Sequence, residues 1–151
     1  MSQVATLTRI NRETLEAIKL SKQYPTSFEE QVYVDRHWEA IMYILGGGFI
    51  GKAPTVSLFM PDNIIIQYKD EYMMEGIRYH DKDEIEKIKK ELDKFQGDQT
   101  MQTIDLGKMN QQVMHQTQSG DLKIIQSMIV AIQRMFNNAL EDNSVIIGSI
   151  G

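Results

Sequence analysis

The 151-residue sequence contains no cysteine, only three prolines and a single tryptophan. Without cysteine there can be no disulfide, no thiolate metal ligand and no cysteine nucleophile. A chain without disulfides fits a reducing compartment. No apolar run approaches the roughly 20 residues that span a bilayer, and residues 1–22 lack the basic start and apolar block of a signal peptide. The sequence therefore predicts a cytoplasmic protein that does not enter a membrane.

Positive charge is also scarce, because 16 Lys and Arg residues stand against 21 Asp and Glu, for a formal net charge of -5. Affinity for nucleic acid and for anionic lipid depends on clustered Lys and Arg. This balance therefore argues against nucleic acid and membrane surfaces as partners. It suits a protein partner, and in particular a basic one, because opposite charges speed the encounter of two proteins.

The apolar pattern mixes helices and strands without regular alternation. Amphipathic helices are predicted where apolar residues recur every three or four positions after a capping signal. These caps are Asn11, Asp35, Asp81 and the Gly120-Asp121 pair. A shorter helix is expected around residues 108–116. Gly46 is placed to end the helix that Asp35 begins, because glycine readily adopts the left-handed conformation at a helix end.

Short runs of β-branched and apolar residues predict the strands. They are residues 4–8, 32–34, 55–60, 64–68 and 145–150. The turn-forming residues 61–63 predict a hairpin from the third and fourth of these runs, while residues 69–75 are ambiguous. Nothing marks a domain boundary, and the irregular order favours an α+β fold. We expect a single compact α+β domain over residues 1–151, with mixed helices and a small, largely antiparallel sheet.

Residues 46–53 (GGGFIGKA) satisfy two glycine-rich phosphate-binding spacings, G-x-x-x-x-G-K and G-x-G-x-x-G. Such a loop binds phosphate when it follows a strand and opens a helix. Here a predicted helix precedes the loop and a β-rich segment follows it. Ala53 also takes the place of the hydroxyl that would bind Mg²⁺. We interpret this segment as a connection from helix to strand.

Catalytic and metal-binding motifs are not visible. His37, His80 and His115 are far apart in sequence and form no ligand pair, which leaves open only a metal site that the fold assembles. There is no G-x-S-x-G serine motif, and carboxylate pairs such as Asp35 with Glu39 are better explained as caps and solvated helix faces. We therefore predict no catalytic residue, no metal ligand and no cofactor, and whether the chain is an enzyme stays open.

Two segments carry a family resemblance: residues 32–47 (VYVDRHWEAIMYILGG) and residues 76–92 (GIRYHDKDEIEKIKKEL). Together with the end of the chain, ALEDNSVIIGSI, they resemble the YfbM-like family of bacterial proteins of unknown function. In that family an Asp, a basic residue and a Trp open a helix that ends in an apolar stretch and Gly. Asp35, Arg36 and Trp38 stand in the first three places.

The sequence departs from the family pattern between Met60 and Glu75. Family members often have glycines there, whereas this chain has PDNIIIQYKDEYMM. The resemblance implies a compact α+β fold. It implies no reaction, because the family has no activity to transfer.

Two functions remain open. The first is a non-catalytic cytoplasmic domain that binds or regulates another protein. The alternative is a small-molecule-binding protein or enzyme of unknown chemistry, with a pocket near Asp35, His37 and Trp38, joined by Arg78 and Tyr79. These residues lie in the family-like segments, and their polar and aromatic side chains are of the types that line pockets. For Trp38, packing in the core is the main expectation and lining a pocket is the alternative. An exposed apolar patch would favour the first function and a concave site with converging polar groups the second. The sequence does not distinguish a monomer from a homo-oligomer.

Overall fold

The computed structural model describes residues 3–67 and 76–151. Among them, five strands form one open, fully antiparallel sheet in the order β2-β1-β5-β4-β3. The strands are β1 (Ala5–Ile10), β2 (Glu30–Asp35), β3 (Asn63–Gln67), β4 (Gly76–His80) and β5 (Val145–Ile150). The helices are α1 (Arg12–Ser21), α2 (Trp38–Leu45), α3 (Lys82–Leu92), α4 (Asp98–Met101), α5 (Leu106–Asn110) and α6 (Leu122–Asp142). The predicted fold class is confirmed, and the boundaries at residues 1 and 151 stay a prediction.

Helices cover both faces of the sheet. On one face, α1 packs Leu15 and Ile18 against a small apolar cluster that includes Ile77 and Ile147. On the other face, α2, α3 and α6 build the larger core. The apolar face of α6, with Ile129 at its middle, is buried as its sequence pattern predicts. Burying one such side chain stabilises the fold by about 1.5–3 kcal/mol.

Local signals place two of the helices correctly. The Asn11 side chain accepts a hydrogen bond from the Thr14 amide at 2.8 Å, which satisfies a donor in the first turn of α1. Asp81 caps α3 by accepting from the Lys82 amide at 2.7 Å. The predicted helix around residues 108–116 is shorter and earlier than expected, because α5 ends at Asn110.

The predicted strand over residues 55–60 is wrong. Thr55–Ser57 form a 3-10 turn, and the hydroxyls of Thr55 and Ser57 donate to the carbonyls of Lys52 and Pro54. Such side-chain bonds to nearby backbone compete with sheet formation. The predicted hairpin is therefore wrong as well, since β3 pairs with β4. Tyr68 and the ambiguous residues 69–75 lie outside the described residues.

The segment after that turn crosses the sheet at Gly148. Leu58 and Phe59 are buried in the larger core. A Cβ on Gly148 would lie 2.7 Å from the Cδ of Pro61 and 3.0 Å from the carbonyl oxygen of Phe59. The chain can pass this closely over β5 because Gly148 has no side chain.

Candidate functional site at the start of helix α2

Asp35 does not cap α2, contrary to the prediction. It ends β2 with a φ of 52°, in the left-handed region that residues other than glycine rarely adopt. His37 occupies the N-cap position instead, without a side-chain capping bond. A capping carboxylate must stand directly before the first helical residue in extended backbone, and Asp35 meets neither condition. Strained residues of this kind are concentrated at functional sites.

His37 meets His115 at this corner. Their ring centroids are 6.0 Å apart and their planes are tilted by 64°. The Nδ1 atom of His37 is shielded from solvent and has no hydrogen-bond partner among the described residues. Sequence reasoning missed His115, because no local pattern links it to the start of α2.

The loop that carries His115, residues 111–118, is tied to two neighbouring segments. The Met114 amide donates to the Glu39 carboxylate at 3.0 Å, which fixes the loop to the first turn of α2. The Gln112 side chain donates to the Gly48 carbonyl at 3.0 Å and accepts from the Ile50 amide at 3.3 Å. The glycine-rich segment is thus held as a connection after α2, and no helix of phosphate-loop type opens from it.

Trp38 faces both the core and the surface. Its side chain is partly buried and packs against the larger core. Its indole N–H donates to the Gln3 carbonyl at 3.2 Å, close to the start of β1. Trp38 therefore anchors the α2 corner to the sheet, and it is not sealed inside the protein.

Arg78 and Tyr79 lie elsewhere. Both are on β4, and neighbouring residues on a strand point to opposite faces. Arg78 donates to the Pro61 carbonyl at 3.2 Å, whereas the Tyr79 ring packs by α1 with the Lys19 ammonium 5.6 Å from its centroid. Two strands separate β4 from β2, a distance of about 14 Å at the usual strand spacing. The structure therefore brings Asp35, His37 and Trp38 together and leaves the other two apart.

An exposed aromatic surface lies next to this corner, along the edge strand β2. Gln31 and Tyr33 point to the α1 side of the sheet, since Val32 and Val34 face the larger core. The hydroxyl of Thr8 links the side chains of Tyr24 and Gln31, at 3.2 and 3.1 Å. We call Tyr24, Phe28, Gln31 and Tyr33 the β2 edge surface. Tyr33 is 56% exposed and Phe28 is 49% exposed, which makes this surface aromatic as well as open.

Charged side chains cluster at the C-terminal end of β1, which is the end far from the α2 corner. Arg9 binds Glu30 at 2.6 Å and also contacts Asp142, which ties β1 to β2 and to the end of α6. Arg12 donates to Asp81 at 2.7 Å and lowers the pKa of that carboxyl. These pairs join the ends of secondary-structure elements, so we assign them a structural role.

Two grooves lie away from the α2 corner. One of about 360 Å³ separates α1 from the loop that follows it and is lined by Glu13 and several hydroxyls. A smaller one of about 190 Å³ lies where α3 begins and α6 ends. None of the five predicted site residues lines either groove.

Residues 3–67 and 76–151 contain neither a cluster of metal ligands nor a membrane-spanning helix. No group of three or more His, Cys, Asp or Glu side chains in these ranges is close enough to hold a metal ion. No helix in the same part of the chain has the length and apolar character needed to cross a membrane.

The chain is similar to known proteins in sequence and in fold. A family described as "Domain of unknown function (DUF1877)" matches residues 1–148. The solved structure of YfbM from Escherichia coli, a protein of unknown function, superposes with a TM-score of 0.63 at 9% identity, covering 95% of this chain and 97% of that one. This likeness shows the fold alone. No curated protein matches the chain. The chain therefore belongs to the DUF1877 family, which confirms the resemblance to YfbM-like proteins of unknown function.

Proposed function

We propose that this protein is a non-catalytic domain of the bacterial cytoplasm that binds an extended segment of a basic partner protein along β2. The observation that carries this proposal is the β2 edge surface, where an edge strand lies beside exposed aromatic side chains. An edge strand offers unpaired backbone N–H and C=O groups, which an extended segment can use as a template.

The sequence of β2 leaves the edge open to such pairing. Proteins commonly protect edge strands with Lys or Pro, and β2 (EQVYVD) has neither. The register of β2 on β1 is regular over residues 30–33, and its irregularity lies at the Asp35 end. Residues 30–33 therefore have no bulge that would interrupt pairing with another strand, and Tyr33 would be the aromatic anchor.

The charge of the protein indicates what kind of segment binds. The net charge is -5, and exposed Glu29 precedes β2 while Asp35 ends it. Glu30 is already paired with Arg9. A basic segment is drawn to such a surface by long-range attraction, which raises the association rate more than the affinity.

Site-specific photo-crosslinking in the source cells tests this function. A photoreactive phenylalanine analogue replaces Phe28 in one protein and Val130, which is 39% exposed on α6, in a matched control. We expect a crosslink to a basic protein from position 28 and none from position 130. The crosslinked residues should fall in one extended segment of that protein.

A synthetic peptide of the crosslinked segment then gives the quantitative test. Tyr33→Lys should weaken its binding by about tenfold or more, since it removes an aromatic anchor and adds a like charge. Val130→Lys should leave binding unchanged. Equal crosslinking from both positions, or equal peptide affinity for both variants, would contradict the proposal.

A second candidate function is small-molecule binding at the start of α2. The strained backbone of Asp35 and the unpartnered nitrogen of His37 favour it. This version of the pocket uses Asp35, His37 and Trp38, with His115 in place of the distant Arg78 and Tyr79. Native mass spectrometry of protein purified from its own cells tests it. A retained small mass that Trp38→Ala abolishes would support this candidate, and a bare chain would count against it.

A further inference from the structure

The groove between α1 and the loop that follows it has the size of a binding site for one polar group. Its volume of about 360 Å³ lies at the lower end of the range of ligand pockets. Its walls are rich in oxygen atoms that accept hydrogen bonds. The hydroxyls among them belong to Thr14, Ser21, Tyr24, Thr26 and Ser27.

The charge of the groove is negative. Glu13 is the one charged side chain of the lining, and no ion pair within residues 3–67 and 76–151 involves it. Its neighbour Arg12 binds Asp81 instead. A second carboxylate lies beside the groove, because the lining residue Asn11 donates a hydrogen bond to exposed Glu29 at 3.1 Å. The groove therefore presents acceptors and negative charge to a ligand.

The groove adjoins the β2 edge surface. Tyr24 belongs to both, and its hydroxyl contacts the sheet at Thr8. Glu29 directly precedes β2, and its contact with Asn11 brings the start of β2 close to the end of the groove that holds Glu13. A segment paired with residues 30–33 therefore approaches this end of the groove with the residues that extend beyond the start of β2.

From these observations we propose that the groove binds an arginine side chain of the partner segment, at a position that flanks the residues paired with β2. A guanidinium group has several N–H donors and no acceptor, which suits a lining of hydroxyls and a carboxylate. Its planar face can also stack on the ring of Tyr24. The inference rests on the proposed function and names the residue type that the groove selects in the partner.

Nuclear magnetic resonance tests the groove with N-acetyl-L-arginine amide, which carries the guanidinium group without free terminal charges. At pH 7.0 and constant ionic strength, we expect a dissociation constant on the order of 1–10 mM, with shifts of the amide signals of Ser21, Gln23 and Thr26. N-acetyl-L-citrulline amide, a neutral analogue of similar shape, should cause much smaller shifts.

Two variants on α1 separate the groove from the general charge of the helix. Glu13→Gln should weaken binding by about threefold or more, since it removes the carboxylate of the lining. Glu16→Gln is the matched control, because Glu16 is exposed on the same helix outside the groove, and it should bind as the wild type does. Equal shifts with the citrulline analogue, or equal affinity in the two variants, would overturn the assignment.

The crosslinked peptide then connects the groove to the partner. Replacing its flanking arginine with citrulline should weaken binding to the wild type by about threefold or more and have little effect with Glu13→Gln. A segment without such an arginine would overturn the proposal. The titration does not involve β2, so the two proposals fail separately. Absence of arginine binding rejects the groove alone, whereas equal crosslinking from positions 28 and 130 rejects the partner segment.

Discussion

His80 makes the stability of this protein depend on pH. Its ring is fully buried, with Nε2 2.8 Å from the Leu58 carbonyl oxygen and the ring centroid 6.0 Å from that of Phe136. Burial lowers the pKa of His80, because removing the imidazolium from water is costly. The Leu58 carbonyl and the carboxylates of Glu84 and Asp62 favour the charged form, and they only partly offset this loss of solvation.

The sign of the effect follows from this lowered pKa. An unfolded chain protonates its histidines near pH 6.5, whereas folded His80 stays neutral to a lower pH. The full contribution of His80 is therefore present above about pH 6.5 and is lost as the pH falls towards the pKa of the folded state. The free energy of unfolding should fall by up to about 1.4 kcal/mol per pH unit. Between pH 6.5 and 5.0 this amounts to about 2 kcal/mol at most, a large share of an ordinary domain's stability.

Urea unfolding at pH 7.5, 6.5, 5.5 and 5.0, followed by the fluorescence of Trp38, measures this loss. His80→Gln is the matched variant, since its amide can donate to the Leu58 carbonyl without titrating in this range. We expect the wild type to lose up to about 2 kcal/mol more than the variant between pH 6.5 and 5.0. His37 and His115 are present in both proteins, so their contributions cancel. The same pH dependence in both proteins would refute the reasoning.

Three further variants test the fold by urea unfolding at pH 7.5. Gly148→Ala should lower the free energy of unfolding by about 1–3 kcal/mol, since its Cβ would lie 2.7 Å from Pro61, and an unchanged midpoint would contradict that close approach. Asp35→Gly should raise the free energy by up to about 1 kcal/mol by relieving the left-handed backbone, and a loss would show that the carboxylate stabilises the turn. Arg9→Met should lower it by about 1–3 kcal/mol by removing the cation that pairs with Glu30 and Asp142, although the Asn138 amide still donates to Glu30, and a neutral result would mean that these ion pairs add nothing.

Sequence reasoning succeeded where local chemistry determines structure. Asn11 and Asp81 cap their helices because a short polar side chain reaches the amides beside it, whatever the rest of the fold does. The apolar face of α6 and the buried strand β5 follow from spacing alone. These signals were enough to give the α+β class.

The errors arose where distant segments decide the local conformation. Asp35 resembles a cap because it precedes an apolar helix. The chain first makes a turn after β2, however, so the helix begins only at Trp38. Residues 55–60 have strand-like composition, yet they form no strand. Leu58 and Phe59 pack into the larger core from an irregular segment. No strand is predicted over residues 76–80, so only the structure shows that Arg78 and Tyr79 are neighbours on β4 and point to opposite faces of the sheet.

The sequence pointed to Asp35, His37 and Trp38 but could not have placed His115 beside them, because that contact joins segments far apart in the chain. This corner is also where the described structure leaves several local requirements unmet. Asp35 has a strained φ, and three buried side-chain atoms lack partners: His37 Nδ1, His80 Nδ1 and Thr117 Oγ1. The first of these atoms is at the corner, and the third is in the loop that carries His115. Natural sequences keep such local conflicts mainly where a ligand or a function compensates for them. A small molecule retained by the wild type and lost in Trp38→Ala, together with a more stable Asp35→Gly variant, would show that this corner is shaped for binding at a cost in stability.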